Sequence, residues 1–303
     1  MNKFVEISKN IKEAISLKKP IVALESTLIS HGLPYPENIK VANESIIAVQ
    51  DNGAIAATIG IINGKIKIGL SKEEIEILAK DKNVQKVSNH NFSLSIYNKQ
   101  NASTTVASSI FIASMFKIKF FATGGIGGVH LEVDKTFDIS ADLYSLSEHA
   151  NYVICSGAKS ILDLNKTYEY LETLAIARIG YKTNYMPGFW YPETKYKVDN
   201  RFEKISAICD FLKINEKIKN NKSVLIFNKV PKDYALKKEK IDNWIKTSTE
   251  KAKTNNISGK ELTPFLISEI NKESNNLTLK ANVSLIINNA DLAGKLSKEY
   301  YSS

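Results

Sequence analysis

Short apolar runs alternate with amphipathic segments along most of the 303-residue sequence. Ile21–Leu24, Lys119–Ala122 and Val224–Phe227 have the length of buried strands and are too short for helices. The first of them is followed by helical periodicity over residues 36–50. This alternation predicts an α/β fold, layered α/β/α, with a largely parallel central sheet. Because the sequence contains no repeats and no long linker, we expect residues 1–303 to form a single domain.

Local signals predict where several elements begin and end. Asn63-Gly64 joins two apolar runs and is the strongest short hairpin signal. Ser71 and Glu74 have the spacing of a capping box. Ser103 or Thr104 is expected to cap the helix that continues through Phe116. Further helices are predicted around Leu162–Leu174, Glu203–Leu212, Lys237–Asn255, Glu261–Asn271 and Ala281–Ala293.

Composition narrows the classes of function. The net charge is +9, but the excess consists of scattered lysines, and Arg178 and Arg201 are the only arginines. Readers of nucleic acid cluster their basic residues and use arginine, so we expect no nucleic-acid polymer as partner. Cys155 and Cys209 lack the spacing of metal ligands, which favours a reducing compartment. Because Met1–Lys19 lacks an apolar signal core and no long apolar run follows, we predict a cytoplasmic protein without membrane contact.

Lys159 is the first candidate for chemistry. The apolar run Val153–Cys155 stops at Ser156-Gly157, and the amine of Lys159 follows two residues later. Desolvation of an ammonium favours its neutral form, and a neutral amine is a nucleophile for carbonyl-like carbon. The competing interpretation is an ordinary surface lysine in the loop after a strand.

Other polar residues follow predicted strands, where the ligands of parallel sheets usually bind. Glu25 could be a general acid if burial raises its pKa, although one carboxylate taken alone favours a salt-bridged or capping role. The Gly124–Gly128 loop could bring backbone N–H groups close to an anion, but His130 stands where a dinucleotide fingerprint needs glycine. Asp138 and Asp142 would suit a hard, hydrated divalent cation.

Seven segments carry a family signature, in order and over essentially the whole chain: Val22–Asn38, Phe121–His130, Thr136–Leu143, Gly157–Leu164, Glu169–Thr173, Gly259–Leu266 and Asn288–Ala290. Through them the sequence closely resembles the pseudouridine-5′-phosphate glycosidases. The resemblance implies a C-glycosidase that converts pseudouridine 5′-phosphate into uracil and ribose 5-phosphate, or runs the reverse reaction. It also implies a homotrimer, a divalent metal such as Mn²⁺, and a lysine that forms an imine with the sugar.

The resemblance assigns roles to individual residues of this sequence. It makes Lys159 the nucleophile, Glu25 the proton donor and Asp138 the metal ligand, with water as most of the other ligands. The small-molecule nucleotide substrate would contact Lys86, Val106, Ser140, Ala141 and Asp142, with His130 and Asn289 as further contacts.

Some residues depart from the family pattern around the expected phosphate site. Asn89, His90 and Asn91 replace two arginines and an aspartate, and Leu131 and Glu132 replace an arginine and a glycine. Loss of bidentate arginines weakens phosphate recognition. Two alternatives therefore remain: a member that acts on unphosphorylated pseudouridine or another C-nucleoside, and a non-catalytic binding or structural relative.

Overall fold

The computed structural model describes residues 3–257 and 262–302. The strands are β1 (Val5–Ile7), β2 (Ile21–Leu24), β3 (Ile55–Ile62), β4 (Lys65–Ile68), β5 (Gln85–Val87), β6 (Ala102–Thr104), β7 (Phe120–Ala122), β8 (Tyr152–Cys155), β9 (Ala177–Tyr181), β10 (Asn200–Phe202) and β11 (Val224–Phe227). The helices are α1 (Lys9–Ser16), α2 (Glu37–Asp51), α3 (Lys72–Lys80), α4 (Phe92–Tyr97), α5 (Val106–Met115), α6 (Val133–Thr136), α7 (Ala141–Glu148), α8 (Leu164–Thr173), α9 (Ile205–Lys217), α10 (Lys238–Thr254), α11 (Leu262–Glu273) and α12 (Leu277–Ser302).

The strands form one sheet in the order β1-β4-β3-β2-β7-β8-β11-β9-β10, with β6 and then β5 branching from β3. From β3 to β10 every neighbouring pair in this order is parallel. The antiparallel pairs are β3–β4 and β3–β6. The predicted α/β fold with a largely parallel sheet is confirmed.

Alternate residues of the central strands enter two different cores. Phe121 and Val153 belong to the cluster that contains buried residues of α5, α7 and α8, whereas Phe120 and Tyr152 belong to the cluster with α2, α9 and α12. Side chains of a strand point alternately to its two faces, so both faces of the sheet are covered by helices. Burial on both faces is why these strands appear in the sequence as continuous apolar runs.

The two strongest local signals are confirmed. Asn63 and Gly64 both have positive φ and connect β3 to β4, whose pairing begins at Ile62 and Lys65. Ser71 caps α3, and its side chain and that of Glu74 exchange hydrogen bonds with each other's backbone N–H groups.

The predicted cap at Ser103 or Thr104 is wrong. Both residues lie in β6, where Ser103 pairs with Gly60 and the Thr104 hydroxyl donates to the Ile59 carbonyl (2.8 Å). Thr105 is the residue that caps α5. Serine and threonine suit both caps and strands, and here the pairing with β3 decided between them.

The predicted C-terminal helices are present with different bounds. The segment predicted at Ala281–Ala293 is the middle of the longer α12. Glu261, the predicted start of the preceding helix, and Gly259 and Lys260 of the motif beside it lie outside the described residues.

Candidate active site

Three adjacent parallel strands bring the candidate residues to one edge of the sheet. β2 ends at Leu24 and is followed by Glu25, and β7 ends at Ala122 and is followed by Thr123. β8 pairs with β7 and leads through a turn to Lys159. Because the carboxyl ends of parallel strands share an edge, residues distant in sequence become neighbours there.

An open cleft of about 620 Å³ lies at this edge. Glu25, Lys86 and Lys159 all line it, so the structure places three of the predicted site residues around one space. Apolar side chains supply much of the remaining wall, as is usual for small-molecule sites. The other lining residues are Thr27, Leu28, His31, Gly32, Leu33, Thr123, Gly124, Gly125, Phe189, Thr263, Pro264, Ile267, Asn282 and Ile286.

The turn that carries Lys159 is tightly constrained. Gly157 has a φ of 89°, and a Cβ there would lie 2.0 Å from the Pro187 carbonyl oxygen, so another residue could not replace this glycine without a shift of the chain. The N–H of Lys159 donates to the Ile126 carbonyl (3.1 Å). The Ser160 hydroxyl donates to the Gly188 carbonyl (2.6 Å). The backbone on both sides of the amine is therefore fixed by the glycine loop and by the loop after β9.

Opposing effects act on the carboxyl group of Glu25. Burial raises its pKa, and it outweighs the opposing effects of the Lys159 cation and the hydrogen bond that Thr123 donates. The Asp142 charge raises the pKa further, and the Lys86 cation lowers it. A carboxyl with a raised pKa stays protonated to higher pH, as a general acid requires.

Lys86 lines the cleft and remains partly exposed to solvent. Desolvation of its amine lowers the pKa of Lys86, and the Lys159 cation lowers it further. Asp142 and Glu25 act in the opposite direction. Two amines facing one cleft repel each other when both are charged, so an anionic ligand would relieve that repulsion.

Asp142 is buried, with 6% of its surface exposed, and both of its carboxylate oxygens accept backbone hydrogen bonds. The N–H of Ala107 donates to Oδ1 (2.9 Å), and the N–H of Gly127 donates to Oδ2 (2.8 Å). The N–H of Asp142 in turn donates to the Ser140 hydroxyl (3.2 Å). The Asp142 carboxylate thus joins the first turn of α5 to the glycine loop. The predicted substrate contacts Val106, Ser140, Ala141 and Asp142 are not among the described residues that line the cleft.

We expect Asp142→Asn to lower the free energy of unfolding by about 1–3 kcal/mol, because the new amide nitrogen would face one of the two backbone N–H groups and leave it unpaired. Urea denaturation monitored by circular dichroism measures this loss. Asp134→Asn on the short exposed helix α6 is the matched control, with an expected change within about 0.5 kcal/mol. Equal stability of the two variants would contradict the role of Asp142 as a link between α5 and the loop.

Asp138 and His130 form a second polar group next to the glycine loop. The Nδ1 atom of His130 lies 3.7 Å from Oδ2 of Asp138, and the N–H of His130 donates to the Asp138 carbonyl (3.0 Å). Burial lowers the pKa of His130, while the Asp138 charge opposes that shift and the cations of Lys159 and Lys86 add to it. His130 therefore lies within electrostatic reach of both the cleft amines and Asp138.

The donor set fits a hydrated cation rather than an enclosed one. Asp138 keeps 38% of its side chain exposed. Among residues 3–257 and 262–302, no group of three or more His, Cys, Asp and Glu side chains is arranged to hold a metal ion. A hard divalent ion bound by one carboxylate and otherwise by water matches these donors, whereas zinc in a closed site does not.

Asn289 occupies a different place from the one expected of a substrate contact. It is fully buried and is absent from the described cleft lining. Its Nδ2 donates to the Thr123 carbonyl (2.8 Å) and the Ser156 hydroxyl (3.1 Å), and Asn228 donates to its Oδ1 (3.2 Å). Asn289 thus holds together the carboxyl ends of β7, β8 and β11.

Sequence reasoning missed several residues of the cleft, among them Thr123, Phe189 and Asn282. Asn282 accepts a hydrogen bond from the Trp190 indole (2.5 Å), and Phe189 lies against Gly125. Phe189 lies in the loop after β9, a strand that the sequence did not predict, and Asn282 lies in α12. Thr123 belongs to a motif already noted, and its position directly after β7 was the signal available.

An α/β sheet whose strand ends place an amine and a buried carboxyl with a raised pKa in one cleft is the arrangement of an α/β enzyme. The chain belongs to the indigoidine synthase A-like family, whose model matches residues 10–299. The resemblance found in its motifs is confirmed by its relatives. A protein of Petrotoga mobilis named pseudouridine-5′-phosphate glycosidase is 45% identical over 98% of this chain and 97% of its own length. One of the same name from Brachyspira hyodysenteriae is 43% identical over 99% and 97%.

A solved structure has the same architecture. The crystal structure of the prealnumycin C-glycosynthase in complex with ribulose 5-phosphate superposes with a TM-score of 0.92 and 30% sequence identity, covering 100% of this chain and 98% of the other. In the described part of the chain, no helix has the length and apolar character needed to cross a membrane.

Proposed function

We propose that this protein is a C-glycosidase that cleaves pseudouridine 5′-phosphate, reversibly, into uracil and ribose 5-phosphate. The observation that carries the proposal is the placement of Glu25 and Lys159 in one cleft, with burial raising the pKa of the acid. The names of the relatives supply the substrate class.

The chemistry needs an electron sink at the sugar and a proton at the base. After losing its proton, the Nζ of Lys159 attacks C1′ of the ribose, the C1′–O4′ bond breaks, and O4′ takes the proton that the newly bonded nitrogen gives up. Glu25 gives its proton to C5 of uracil. The C1′–C5 bond then breaks with its electron pair going to the uracil ring, while the lone pair of the lysine nitrogen forms the imine. Water hydrolyses the imine, which releases ribose 5-phosphate and restores the amine.

Asp138 would hold a divalent cation, which we propose to be Mn²⁺ with water as most of its other ligands. Such an ion would polarise the uracil carbonyls through its bound water. His130, within 3.7 Å of Asp138, would orient that carboxylate. The family resemblance also supports a homotrimer, and two buried, unpaired cysteines fit a cytoplasmic location.

Uracil release from pseudouridine 5′-phosphate, with and without added Mn²⁺, is the direct test. We expect turnover that rises with the metal and falls on chelation. Absence of uracil release under varied metal and pH would overturn the proposal and favour a non-catalytic relative. Retention of Glu25, Asp138 and Lys159 together argues against that alternative, since a scaffold needs none of them.

The second candidate, turnover of unphosphorylated pseudouridine, is favoured by the placement of the arginines. Arg178 pairs with Asp199 (2.8 Å), and Arg201 pairs with Glu203 (2.5 Å), near the β10 edge of the sheet. Neither is among the described residues of the cleft, whose cations are lysines. A lysine gives a point charge and not the bidentate fork that recognises phosphate best.

Two of the residues that depart from the family pattern make side-chain hydrogen bonds within the protein. Asn89 donates to the Ser145 hydroxyl (2.8 Å), and Asn91 donates to the Lys86 carbonyl (3.1 Å). Leu131 is 39% exposed. Glu132 has a φ of 59°, a left-handed conformation that suits the glycine expected at this position. The backbone of Glu132 therefore has a conformation that glycine adopts readily, although the residue is a glutamate.

We expect Lys86→Ala to raise the KM for pseudouridine 5′-phosphate by about 10- to 100-fold, because a charge-assisted contact to the phosphate is lost. The KM for pseudouridine should rise by less than about threefold. Steady-state kinetics with both substrates measure the difference, and Lys82→Ala, an exposed lysine outside the cleft, is the control. An equal rise for both substrates would assign Lys86 to another part of the ligand.

A further inference from the structure

Thr123 lies between the catalytic acid and the glycine loop. Its hydroxyl donates a short hydrogen bond to Oε1 of Glu25, from a site where only 2% of the residue is exposed. Its main chain is held from two sides: the N–H donates to the Ile154 carbonyl (3.1 Å), and the carbonyl accepts from Asn289 (2.8 Å). The donor is therefore fixed before any ligand enters.

We propose that Thr123 is a positioning residue that selects which oxygen of Glu25 carries the proton delivered to the base. This inference rests on the proposed function. The hydroxyl hydrogen occupies Oε1, so a proton on the carboxyl group resides on Oε2, and the hydrogen bond limits rotation of that group. A general acid acts only when its proton is directed at the accepting atom.

The surroundings of Glu25 show why this donor matters for pH dependence. The cations of Lys159 and Lys86 face the carboxyl group, as does the buried Asp142 carboxylate, and His31 lines the same cleft. Burial raises the pKa of Glu25, and the Thr123 hydrogen bond lowers it. Removal of the Thr123 hydroxyl should therefore raise the pKa of Glu25, so that its protonated form persists to higher pH.

A purely structural role for Thr123 predicts different behaviour. A buried hydroxyl that only supports packing would lower stability when removed and leave the pH dependence of turnover unchanged. A hydroxyl that binds substrate would mainly raise KM when removed. Two measurements therefore separate the three roles. One is the high-pH limb of the pH–rate profile, the pH at which turnover falls on the alkaline side. The other is whether the substitution changes kcat or KM.

The test compares Thr123→Val, Thr123→Ala and Thr123→Ser in uracil release from pseudouridine 5′-phosphate with Mn²⁺ between pH 5 and 10. In the valine variant we expect kcat to fall about tenfold, KM to change less than about threefold, and the high-pH limb to move up by about one unit. Serine retains the donor and should restore the wild-type limb. Alanine removes the same hydroxyl and replaces the valine variant in the comparison if that variant does not fold.

Thr278→Val is the matched control, since it removes a buried hydroxyl contact with Ser274 (3.0 Å) in α12, outside the cleft. We expect its high-pH limb to coincide with that of the wild type. The positioning role is overturned if the high-pH limb is unshifted in both Thr123→Val and Thr123→Ala, or if KM rises as much as kcat falls. The proposed function stands in either case as long as the wild type releases uracil. No uracil release by the wild type overturns both.

Discussion

Lys159→Ala is expected to lower the kcat for uracil release by at least about 10⁴-fold, because the C1′–C5 bond then has no amine to take up its electrons. The same substitution should abolish the covalent adduct that borohydride traps from ribose 5-phosphate. Reduction of the imine leaves a stable secondary amine, and mass spectrometry of proteolytic fragments locates it. We expect the adduct of the wild-type protein on the fragment that contains Lys159.

Lys166→Ala is the matched control. Lys166 is an exposed lysine of α8 that pairs with Asp163 (3.0 Å), so the substitution removes an amine seven residues away without touching the cleft. We expect both turnover and adduct formation to survive in this variant. Trapping of the sugar on another lysine, with Lys159→Ala still active, would remove Lys159 from the mechanism.

Glu25→Gln is expected to lower kcat by about 10²- to 10⁴-fold, the usual contribution of a general acid. An amide of similar shape accepts the Thr123 hydrogen bond but has no proton to give to uracil. Because ribose 5-phosphate carries no base, its imine with Lys159 forms without a proton on C5, and borohydride trapping should persist in this variant. Loss of turnover with retention of the adduct assigns Glu25 to the proton and Lys159 to the sugar.

Stability distinguishes this loss of activity from misfolding. The pKa of Glu25 is raised on folding, so the protonated form is favoured in the native state and stability decreases as pH rises above the ordinary value for a glutamate. Glutamine does not ionise and avoids this loss. We therefore expect Glu25→Gln to be at least as stable as the wild type at pH 8 in urea denaturation. A marked loss of stability at pH 8 would show that the carboxylate has a structural partner.

The sequence predicted the central strands because burial on both faces leaves a local trace. Val224–Phe227 and Tyr152–Cys155 are apolar at every position except the tyrosine hydroxyl, and all eight residues are buried. The short edge strands Val5–Ile7 and Asn200–Phe202 lack such a run, since half or more of their residues reach the surface. Their strand character comes from pairing with β4 and β9, which no local window contains.

The candidate site also has one part that the sequence indicated and another part that it did not. The residue types of Glu25 and Lys159, each after a buried run, indicated an acid and an amine at one sheet edge. The hydrogen-bond partners of Asp142 and Asn289 could not be inferred from the sequence, because they belong to other secondary-structure elements. The Asp142 carboxylate accepts from an N–H group 35 residues away, and the Asn289 amide donates to a carbonyl 166 residues away.

By itself the sequence determined the layered α/β architecture, the Asn63-Gly64 hairpin and the acid and amine residues, since these follow from short-range periodicity and residue chemistry. The tertiary structure decided which oxygen of Glu25 accepts a hydrogen bond from Thr123, a residue 98 positions away in the sequence. It also decided that burial raises the pKa of the Glu25 carboxyl. Those properties depend on distances and dielectric surroundings, which exist only after the strand ends of β2, β7 and β8 have been brought together.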